Sequence, residues 1–290
     1  MPNRKIMEKF AGKVAFITGG ASGIGLAIAH ALTMRGMHVA LADINEAALH
    51  DAAAELRANR TTVLPLILDV QDAGAWERAI DEAETRLGPI FLLCNNAGVG
   101  LAAAPCEEVG LTEWNWLLGI NLGGVFLGVR TVAGRMKARG QGHIINTSSI
   151  LGLFPKANHA PYIAAKFAVV GFTEALRAEL APYCVGVTVL LPGLVRTAQS
   201  ANARAPHHAA SPAPALPPAV AKPPGIEPDA VGDIIVDAIL ENRLYAITHP
   251  EYLPVVENRM ERLIAAFRSS PAPATAEEIM FLGHDSLNLS

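Results

Sequence analysis

Tyr162 and Lys166 stand four positions apart in a stretch with helical spacing of apolar residues. Side chains at i and i+4 share one face of a helix, so the ammonium would lie beside the phenol. A neighbouring cation favours the phenolate and is expected to lower the pKa of Tyr162 from ~10 toward neutrality. The pair therefore predicts a side chain that takes up and returns a proton. Taken alone, the spacing favours an exposed aromatic residue beside a cation, since such pairs occur by chance in many helices.

A serine at the end of a predicted strand adds a second polar group. Ser149 follows an apolar run of strand length, and Tyr162 opens the helix that comes next. Ligands of an open parallel sheet bind outside the carboxyl ends of its strands. A hydroxyl at that place can hold a substrate oxygen while Tyr162 moves the proton. The alternative is that Ser149 forms a turn or caps a helix, and Ser148 shares that alternative.

A glycine-rich turn lies between the first predicted strand and the first predicted helix. It contains Gly19, Ser22, Gly23, Ile24 and Gly25. Glycines allow a tight turn and a close approach of a pyrophosphate to the backbone. The helix that follows presents free N–H groups and the positive end of its dipole to phosphates. The strand–turn–helix context is the condition that separates a dinucleotide site from an ordinary turn.

An acidic residue ends the second predicted strand. A carboxylate at Asp43 can accept hydrogen bonds from both ribose hydroxyls of NAD, and it would repel a 2′-phosphate. No lysine or arginine stands in the glycine turn, and Ile44 follows the aspartate. These features favour NAD over NADP. A strand-end cap is the alternative role for Asp43.

The elements that must position these groups alternate regularly. Continuous apolar runs predict strands at Lys13–Thr18, His38–Asp43, Val63–Leu68, Ile90–Asn95, His143–Ser148, Val185–Leu191 and Leu244–Thr248. Amphipathic stretches predict helices near residues 24–36, 45–59, 72–87, 111–138, 161–181 and 228–241. Unbroken apolar strands are typical of a parallel sheet covered on both faces. The alternation predicts an α/β fold, a single-domain Rossmann-type doubly wound parallel sheet of about seven strands.

One segment interrupts this alternation. Prolines crowd the stretch between residues 206 and 228, where neither a helix interior nor a central strand can form. Its ends join a strand to a helix, so we interpret it as an insertion within one domain, with a lid at about residues 198–228. The domain is predicted to span residues 1–268, followed by a C-terminal tail at residues 269–290.

In their order along the chain, these motifs resemble the short-chain dehydrogenase/reductase family. The resemblance runs from about residue 13 to residue 248 and rests on Thr18-Gly19-x-x-x-Gly23-x-Gly25, Asp69-Val70, Asn95-Asn96-Ala97-Gly98, Asn121, Ser149, Tyr162-x-x-x-Lys166 and Pro192-Gly193-x-Val195-x-Thr197. Each motif is weak by itself. Together, each on its expected element, they are specific.

The resemblance implies a role for each matched residue. Tyr162 would be the general acid/base, Lys166 would bind the nicotinamide ribose, and Ser149 would hold the substrate oxygen. Asn121 would hold a water in a proton relay from Lys166, and Asn95 would brace the sheet. Asp69 and Val70 would contact the adenine edge, and the small residues Ala97 and Gly98 would let the cofactor pass. The residues expected to flank the nicotinamide are Pro192, Gly193, Val195 and Thr197.

Composition narrows the classes of partner. The formal net charge is -4, which argues against a nucleic-acid surface. Three cysteines stand at positions 94, 106 and 184 without zinc-type spacing, so no metal site is predicted. We expect no membrane span and no signal peptide, because neither a sufficiently long apolar stretch nor an apolar region after the basic N-terminus is found. These features favour a cytoplasmic protein.

The expected reaction is hydride transfer between NAD and an apolar or aromatic secondary alcohol or its ketone. The predicted pocket turns at residues 99–102 and 150–155 are mostly apolar. Residues 244–251 look similar to those of family members that oxidise bulky aryl alcohols of the lignin Cα type. An NADPH-dependent ketoreductase and a non-catalytic dinucleotide-binding sensor are the alternatives. The family usually forms a homodimer or homotetramer through helices such as 111–138 and 161–181.

Overall fold

Seven strands form one sheet in the order β3-β2-β1-β4-β5-β6-β7, and each neighbouring pair is parallel. The computed structural model describes residues 10–57, 61–197 and 225–271. The strands are β1 Val14–Thr18, β2 His38–Asp43, β3 Val63–Ile67, β4 Ile90–Asn95, β5 Gly142–Thr147, β6 Val185–Leu191 and β7 Tyr245–Ile247. The chain order reverses at β1, between β2 and β4, as in a doubly wound sheet.

Helices connect the strands and cover both faces of the sheet. The α-helices are α1 Gly23–Thr33, α2 Glu46–Leu56, α3 Ala73–Leu87, α4 Leu111–Leu118, α5 Gly124–Arg139, α6 Ala160–Leu180, α7 Pro228–Leu240 and α8 Leu253–Ser269. Short 3₁₀ turns lie at Cys106–Glu108, Ile150–Gly152, Ala181–Tyr183 and Pro250–Tyr252. This architecture confirms the predicted fold class.

The core has two halves, one on each face of the sheet. Successive residues of a strand point to opposite faces, so both must be apolar when both faces are covered. Phe16 of β1 packs on Trp76 of α3, with ring centroids 5.7 Å apart. Ile17, the next residue, belongs to the other cluster, with Ile28 of α1. Continuous apolar strands were therefore the correct signal for this sheet.

Two helical features differ from the sequence-based prediction. The stretch predicted as one helix at residues 111–138 contains a π-helical turn at Gly119–Gly123, between α4 and α5. Gly124 begins α5 against the connection after β3, where an added Cβ would lie 2.8 Å from Cγ2 of Val70. Helix α8 was not predicted, although its sequence is amphipathic; it follows the last strand of the alternation, and none of its residues is buried against the described residues.

The stretch 111–139 is the one part of the described chain long and apolar enough to cross a membrane by length and composition. Val125, Val129, Val132 and Met136 of this stretch are buried in the core against the sheet. A core helix of a globular protein meets the same criterion, so the feature is weak support for a membrane span.

The predicted lid and tail fall mainly on residues outside those described. Only residues 225–228 of the lid at 198–228 and residues 269–271 of the tail at 269–290 lie inside the described ranges. Both remain predictions.

Candidate active site

The predicted functional side chains gather where the carboxyl ends of β1, β4, β5 and β6 meet. Ser149 lies just beyond β5, and Tyr162 and Lys166 lie in the first two turns of α6. The first two turns of α6 lie against the end of β5, because Oγ of Ser148 donates to the carbonyl of Lys166 (2.7 Å) and Nζ of Lys166 donates to the carbonyl of Thr147 (2.9 Å). The parallel arrangement therefore places the predicted proton-transfer group at the edge where ligands of such sheets bind.

Tyr162 and Ser149 are joined by a side-chain hydrogen bond. Ser149 is buried, and its Oγ also accepts a hydrogen bond from the backbone N–H of Leu151 (3.2 Å). The Nζ atom of Lys166 lies 5.7 Å from the centroid of the Tyr162 ring and donates to the carbonyl oxygen of Thr147 (2.9 Å). The three predicted catalytic side chains are therefore neighbours.

The expected lowering of the Tyr162 pKa is wrong for the chain as described. Burial raises the pKa of Tyr162, and the hydrogen bond with Ser149 lowers it by less. Burial also lowers the pKa of Lys166 to about 8, because the charged ammonium is withdrawn from water. The sequence argument counted the attraction between the two groups and left out the cost of burying each charge.

Asn121 is fully buried in the π-helical turn and binds the chain after β4 with both ends of its amide. Its Oδ1 accepts from the N–H of Val99 (2.8 Å), and its Nδ2 donates to the carbonyl of Val99 (2.9 Å). An added Cβ on Gly98 would lie 3.3 Å from Oδ1 of Asn121 and 3.6 Å from Nζ of Lys166. Asn121 and Lys166 therefore share one small space, while the water relay stays a prediction.

The glycine-rich turn has the shape that a bound pyrophosphate requires. Gly19 has a φ of +62°, and an added Cβ would lie 2.9 Å from the Cα of Ala97. Gly25 packs against the carbonyl of Gly19 in the same way, with no room for a side chain. Ser22, at the N-cap of α1, makes no side-chain cap hydrogen bond, so the first N–H groups of the helix are not covered by it. The turn fits a dinucleotide.

Thr18 joins this turn to the next strand of the sheet. Its Oγ1 accepts from the N–H groups of Asn96 and Ala97, both at 3.0 Å, and Nδ2 of Asn96 donates to the carbonyl of Thr18 (3.1 Å). These bonds hold the ends of β1 and β4 together under the glycine turn. These backbone and side-chain contacts form the floor of the predicted cofactor cleft.

Asp43 ends β2 beside the same turn. Its Oδ2 accepts from the N–H of Ala21 (3.2 Å), and its Oδ1 accepts from the N–H of Asn45 (3.0 Å). The carboxylate is partly exposed. It therefore stabilises the local backbone and also presents a negative charge next to the turn, so both roles weighed for it are geometrically compatible.

Three other predicted cofactor residues occupy different kinds of position. Asn95 is buried, and its Nδ2 donates to Oδ1 of Asn146 on β5 (2.9 Å), which is the expected bracing geometry. Val70 is also buried, and its carbonyl accepts from the indole N–H of Trp76 (3.0 Å). Asp69 is partly exposed and caps the N–H of Gln71 (2.9 Å).

The turn after β6 was predicted to flank the nicotinamide, and it contacts both the serine and the end of β7. The carbonyl of Pro192 accepts from the N–H of Ile150 (2.8 Å) and from Oγ of Ser149 (3.4 Å). The N–H of Gly193 donates to Oγ1 of Thr248 (3.1 Å) and to Nδ1 of His249 (3.2 Å). Sequence reasoning missed the contacts of Thr248 and His249 with this turn. The signal available in the sequence was two polar residues directly after a short apolar strand.

Val195 and Thr197 complete this region. Val195 forms a parallel bridge with Ile226, and the N–H of Thr197 donates to the carbonyl of Val195 (2.8 Å). An added Cβ on Gly23 would lie 3.0 Å from Cγ2 of Thr197. The segment after β6 therefore reaches across to the start of α1.

Comparison with known proteins identifies the family of the chain. Residues 13–208 match the family model for short chain dehydrogenases. The chain is 33% identical over 293 residues to a C alpha-dehydrogenase from Sphingobium sp. strain SYK-6, covering 96% of each chain. It is 42% identical over 186 residues to a 3-alpha-(or 20-beta)-hydroxysteroid dehydrogenase from Mycobacterium tuberculosis, covering 64% of this chain and 70% of the relative.

Solved structures agree with these matches. A short chain dehydrogenase/reductase from Burkholderia phymatum in complex with NAD superposes with a TM-score of 0.81, at 32% identity, over 91% of this chain and 98% of that one. The apo form of LigD from Sphingobium sp. strain SYK-6 superposes with a TM-score of 0.76, at 33% identity, over 91% of this chain and 99% of that one.

Proposed function

The chain belongs to the short-chain dehydrogenase family of oxidoreductases, and on that basis we propose that it transfers a hydride between NAD and an apolar or aromatic secondary alcohol or ketone. The observation that carries this proposal is the contact of Tyr162 with Ser149 and Lys166, beside a glycine turn shaped for a dinucleotide. The same cluster favours an enzyme over a sensor, because nucleotide binding alone does not require an acid/base tyrosine.

In the proposed mechanism the phenolate oxygen of Tyr162 takes the alcohol proton during oxidation, and the phenol gives it back during reduction. Oγ of Ser149 holds the substrate oxygen beside that phenol. Lys166, held by the Thr147 carbonyl at 2.9 Å, lies where it can bind ribose hydroxyls. The glycine turn would hold the pyrophosphate, and Pro192, Gly193, Val195 and Thr197 would flank the nicotinamide. NAD, when bound, supplies the ring that accepts or returns the hydride.

Preference for NAD rests on Asp43. Its carboxylate lies beside the glycine turn, where a 2′-phosphate would meet a like charge. The structural relative from Burkholderia phymatum was solved with NAD. The ketoreductase alternative requires tighter binding of NADPH than of NADH. Measuring the dissociation constants of both reduced cofactors therefore distinguishes the NAD-dependent dehydrogenase from the NADPH-dependent ketoreductase.

The substrate class rests on the apolar surroundings of Ser149. Leu151 and Leu153 are partly buried, and Phe154 is buried, in the segment that follows Ser149. The loop after β4 is tied to the loop before α6 by the N–H of Ala104, which donates to the carbonyl of Asn158 (3.0 Å). Two relatives are named C alpha-dehydrogenase and 3-alpha-(or 20-beta)-hydroxysteroid dehydrogenase, and the second name, with its steroid substrate, supports a bulky apolar alcohol for this chain.

Assembly and location are also part of the proposal. We expect a homodimer or homotetramer formed through α4, α5 and α6, where Leu111 and Phe126 expose large apolar side chains. Phe126→Glu should then shift the mass measured by light scattering to that of the monomer. Cys94, Cys106 and Cys184 are free thiols, in keeping with a reducing cytoplasmic location.

The test of the main proposal is formation of reduced nicotinamide with NAD and with NADP across aryl, alicyclic and small aliphatic secondary alcohols. Tyr162→Phe should lower kcat/KM by at least about 100-fold and leave NADH binding nearly unchanged, because general acid/base catalysis is lost while the cleft is kept. Unchanged turnover in this variant would remove Tyr162 from the mechanism. Cofactor binding without turnover on any alcohol would favour the sensor alternative.

A further inference from the structure

Three polar atoms meet at the turn after β6 and the end of β7. The N–H of Gly193 lies 3.1 Å from Oγ1 of Thr248 and 3.2 Å from Nδ1 of His249. Oγ1 and Nδ1 are themselves 2.6 Å apart. Thr248 and His249 are both buried. The N–H of Gly193 is therefore satisfied by two side chains from the segment directly after β7.

The Gly193 N–H has two acceptors around it. A backbone N–H can only donate, so Oγ1 of Thr248 and Nδ1 of His249 are the atoms that receive its hydrogen bonds. His249 therefore supplies one of the two side-chain acceptors that hold the backbone of this turn.

The ring of His249 is also fixed in space. Its centroid lies 6.3 Å from that of Tyr252, which stacks on Phe154 at 5.5 Å. Its other side lies against Gly193, where an added Cβ would lie 2.5 Å from Cγ of the imidazole. A glycine at position 193 therefore leaves room for the imidazole, because any side chain at this position would displace His249.

The opposite end of the same turn contacts the proposed catalytic serine. The carbonyl of Pro192 accepts from the N–H of Ile150 (2.8 Å) and from Oγ of Ser149 (3.4 Å). A displacement of the Pro192–Gly193 turn would therefore also displace the side chain of Ser149. Within the described residues, the backbone N–H of this turn is held by the end of β7.

We propose that His249 is a positioning residue, which fixes the Pro192–Gly193 turn through the Gly193 N–H and, through that turn, the placement of Ser149 and of the nicotinamide-facing backbone. The catalytic consequence rests on the proposed function; the hold on the turn does not. Ordinary packing of a buried histidine is the competing explanation, and it predicts loss of stability without a specific effect on turnover.

The experiment compares two substitutions at one position. His249→Asn keeps an acceptor oxygen near the place of Nδ1, and His249→Leu removes it. With NAD and the best alcohol of the panel, His249→Leu should lower kcat by about 10- to 100-fold, as expected for a misplaced reacting group, and should change the KM of the alcohol little. His249→Asn should recover most of kcat. Equal kcat values in the two variants would overturn the proposal.

His143→Leu is the matched control for the loss of a buried histidine. His143 is also buried, and its Nε2 lies 2.8 Å from Oγ1 of Thr188. This variant should lose stability while keeping kcat. A fall in kcat as large as that in His249→Leu would mean that general destabilisation explains both.

A second measurement works without any substrate. Hydrogen exchange of residues 190–195, followed by mass spectrometry in the ligand-free protein, should quicken in His249→Leu and not in His249→Asn. If the wild-type chain turns over no alcohol but exchange changes as expected, the proposed function fails and the positioning role holds. Unchanged exchange in His249→Leu overturns the positioning role whatever the activity.

Discussion

The Nζ atom of Lys166 lies 2.9 Å from the carbonyl oxygen of Thr147, and the lysine is only 3% exposed. Among the described residues the Thr147 carbonyl is the neutral acceptor of this buried ammonium, and burial lowers the pKa of Lys166 to about 8 from an ordinary value of 10.5. The lysine is therefore held in a position that costs folding free energy, as is common for groups placed for binding or catalysis.

The first prediction concerns stability and pH. The unfolded chain binds the Lys166 proton more tightly than the folded chain does, so this group makes the free energy of unfolding rise with pH between about 8 and 10.5. The penalty is fully present below pH 8. Lys166→Met should remove that rise and stabilise the ligand-free protein at pH 7 by about 2–3 kcal/mol, while turnover is lost.

Urea unfolding of both proteins at several pH values from 7 to 10.5 measures this effect. The difference between the two curves isolates Lys166 from other groups that titrate in the same range. A difference that does not change with pH would show that Lys166 is charged in the folded protein throughout the window.

The second prediction concerns the pH dependence of oxidation. The hydrogen bond with Ser149 is the influence that lowers the pKa of Tyr162 against the effect of burial. Ser149→Ala should therefore move the alkaline inflection of kcat/KM for oxidation to higher pH, besides lowering the maximum. Ser149→Thr keeps a hydroxyl and should retain the wild-type inflection. An inflection at the same pH in the alanine variant would mean that another group titrates.

The third prediction concerns the buried polar chain between strands. Nδ2 of Asn95 donates to Oδ1 of Asn146 (2.9 Å), and Nδ2 of Asn146 donates to Oγ1 of Thr173 (3.1 Å). Removing one partner leaves a buried polar group unsatisfied, so Asn95→Ala and Asn146→Ala should each cost about 1–3 kcal/mol of stability. The double variant should cost less than the sum, and strict additivity in the thermodynamic cycle would contradict the contact.

The fourth prediction compares two glycines. Gly19→Ala places a Cβ 2.9 Å from the Cα of Ala97 at a residue with a φ of +62°. Both stability and NADH affinity should fall, the latter by at least about tenfold, because the turn must open to accommodate the methyl group. Gly134 of α5 has nothing within 4 Å of an added Cβ. Gly134→Ala should instead stabilise the protein by about 0.5–1 kcal/mol and leave NADH binding unchanged.

Calorimetry and fluorescence titration with NADH give both quantities for each glycine variant. Equal effects of the two substitutions would show that the shape of the glycine turn is not what binds the cofactor.

The sheet could be predicted from the sequence because its signal is local and strong. Strands such as β1, β2 and β6 are continuous apolar runs, and each is separated from the next by a helix of ordinary length. The glycine turn and the spacing of Tyr162 and Lys166 are local as well. Each of these patterns can be read within a short window of the chain.

What the sequence could not supply depends on contacts between distant segments. The pKa of Tyr162 is governed by burial, which no short pattern measures. The role of His249 depends on a backbone N–H more than 50 positions away along the chain. Helix α8 buries no residue against the described chain, so the predicted α/β sheet is complete without it. Such features become visible only after the chain is folded.

The order of the strands has a kinetic consequence. At the middle of the sheet β1 pairs with β4, and Val14 is paired with Ile90. Two strands and their helices lie between these residues along the chain. Such distant pairings slow folding, because the entropy of closing a long loop is lost before the contact stabilises the chain. Gly19 lies against Ala97, just past these two strands. The ability to bind a nucleotide should therefore arise late in folding, and recovery of NADH fluorescence after dilution from urea should report assembly of the centre of the sheet.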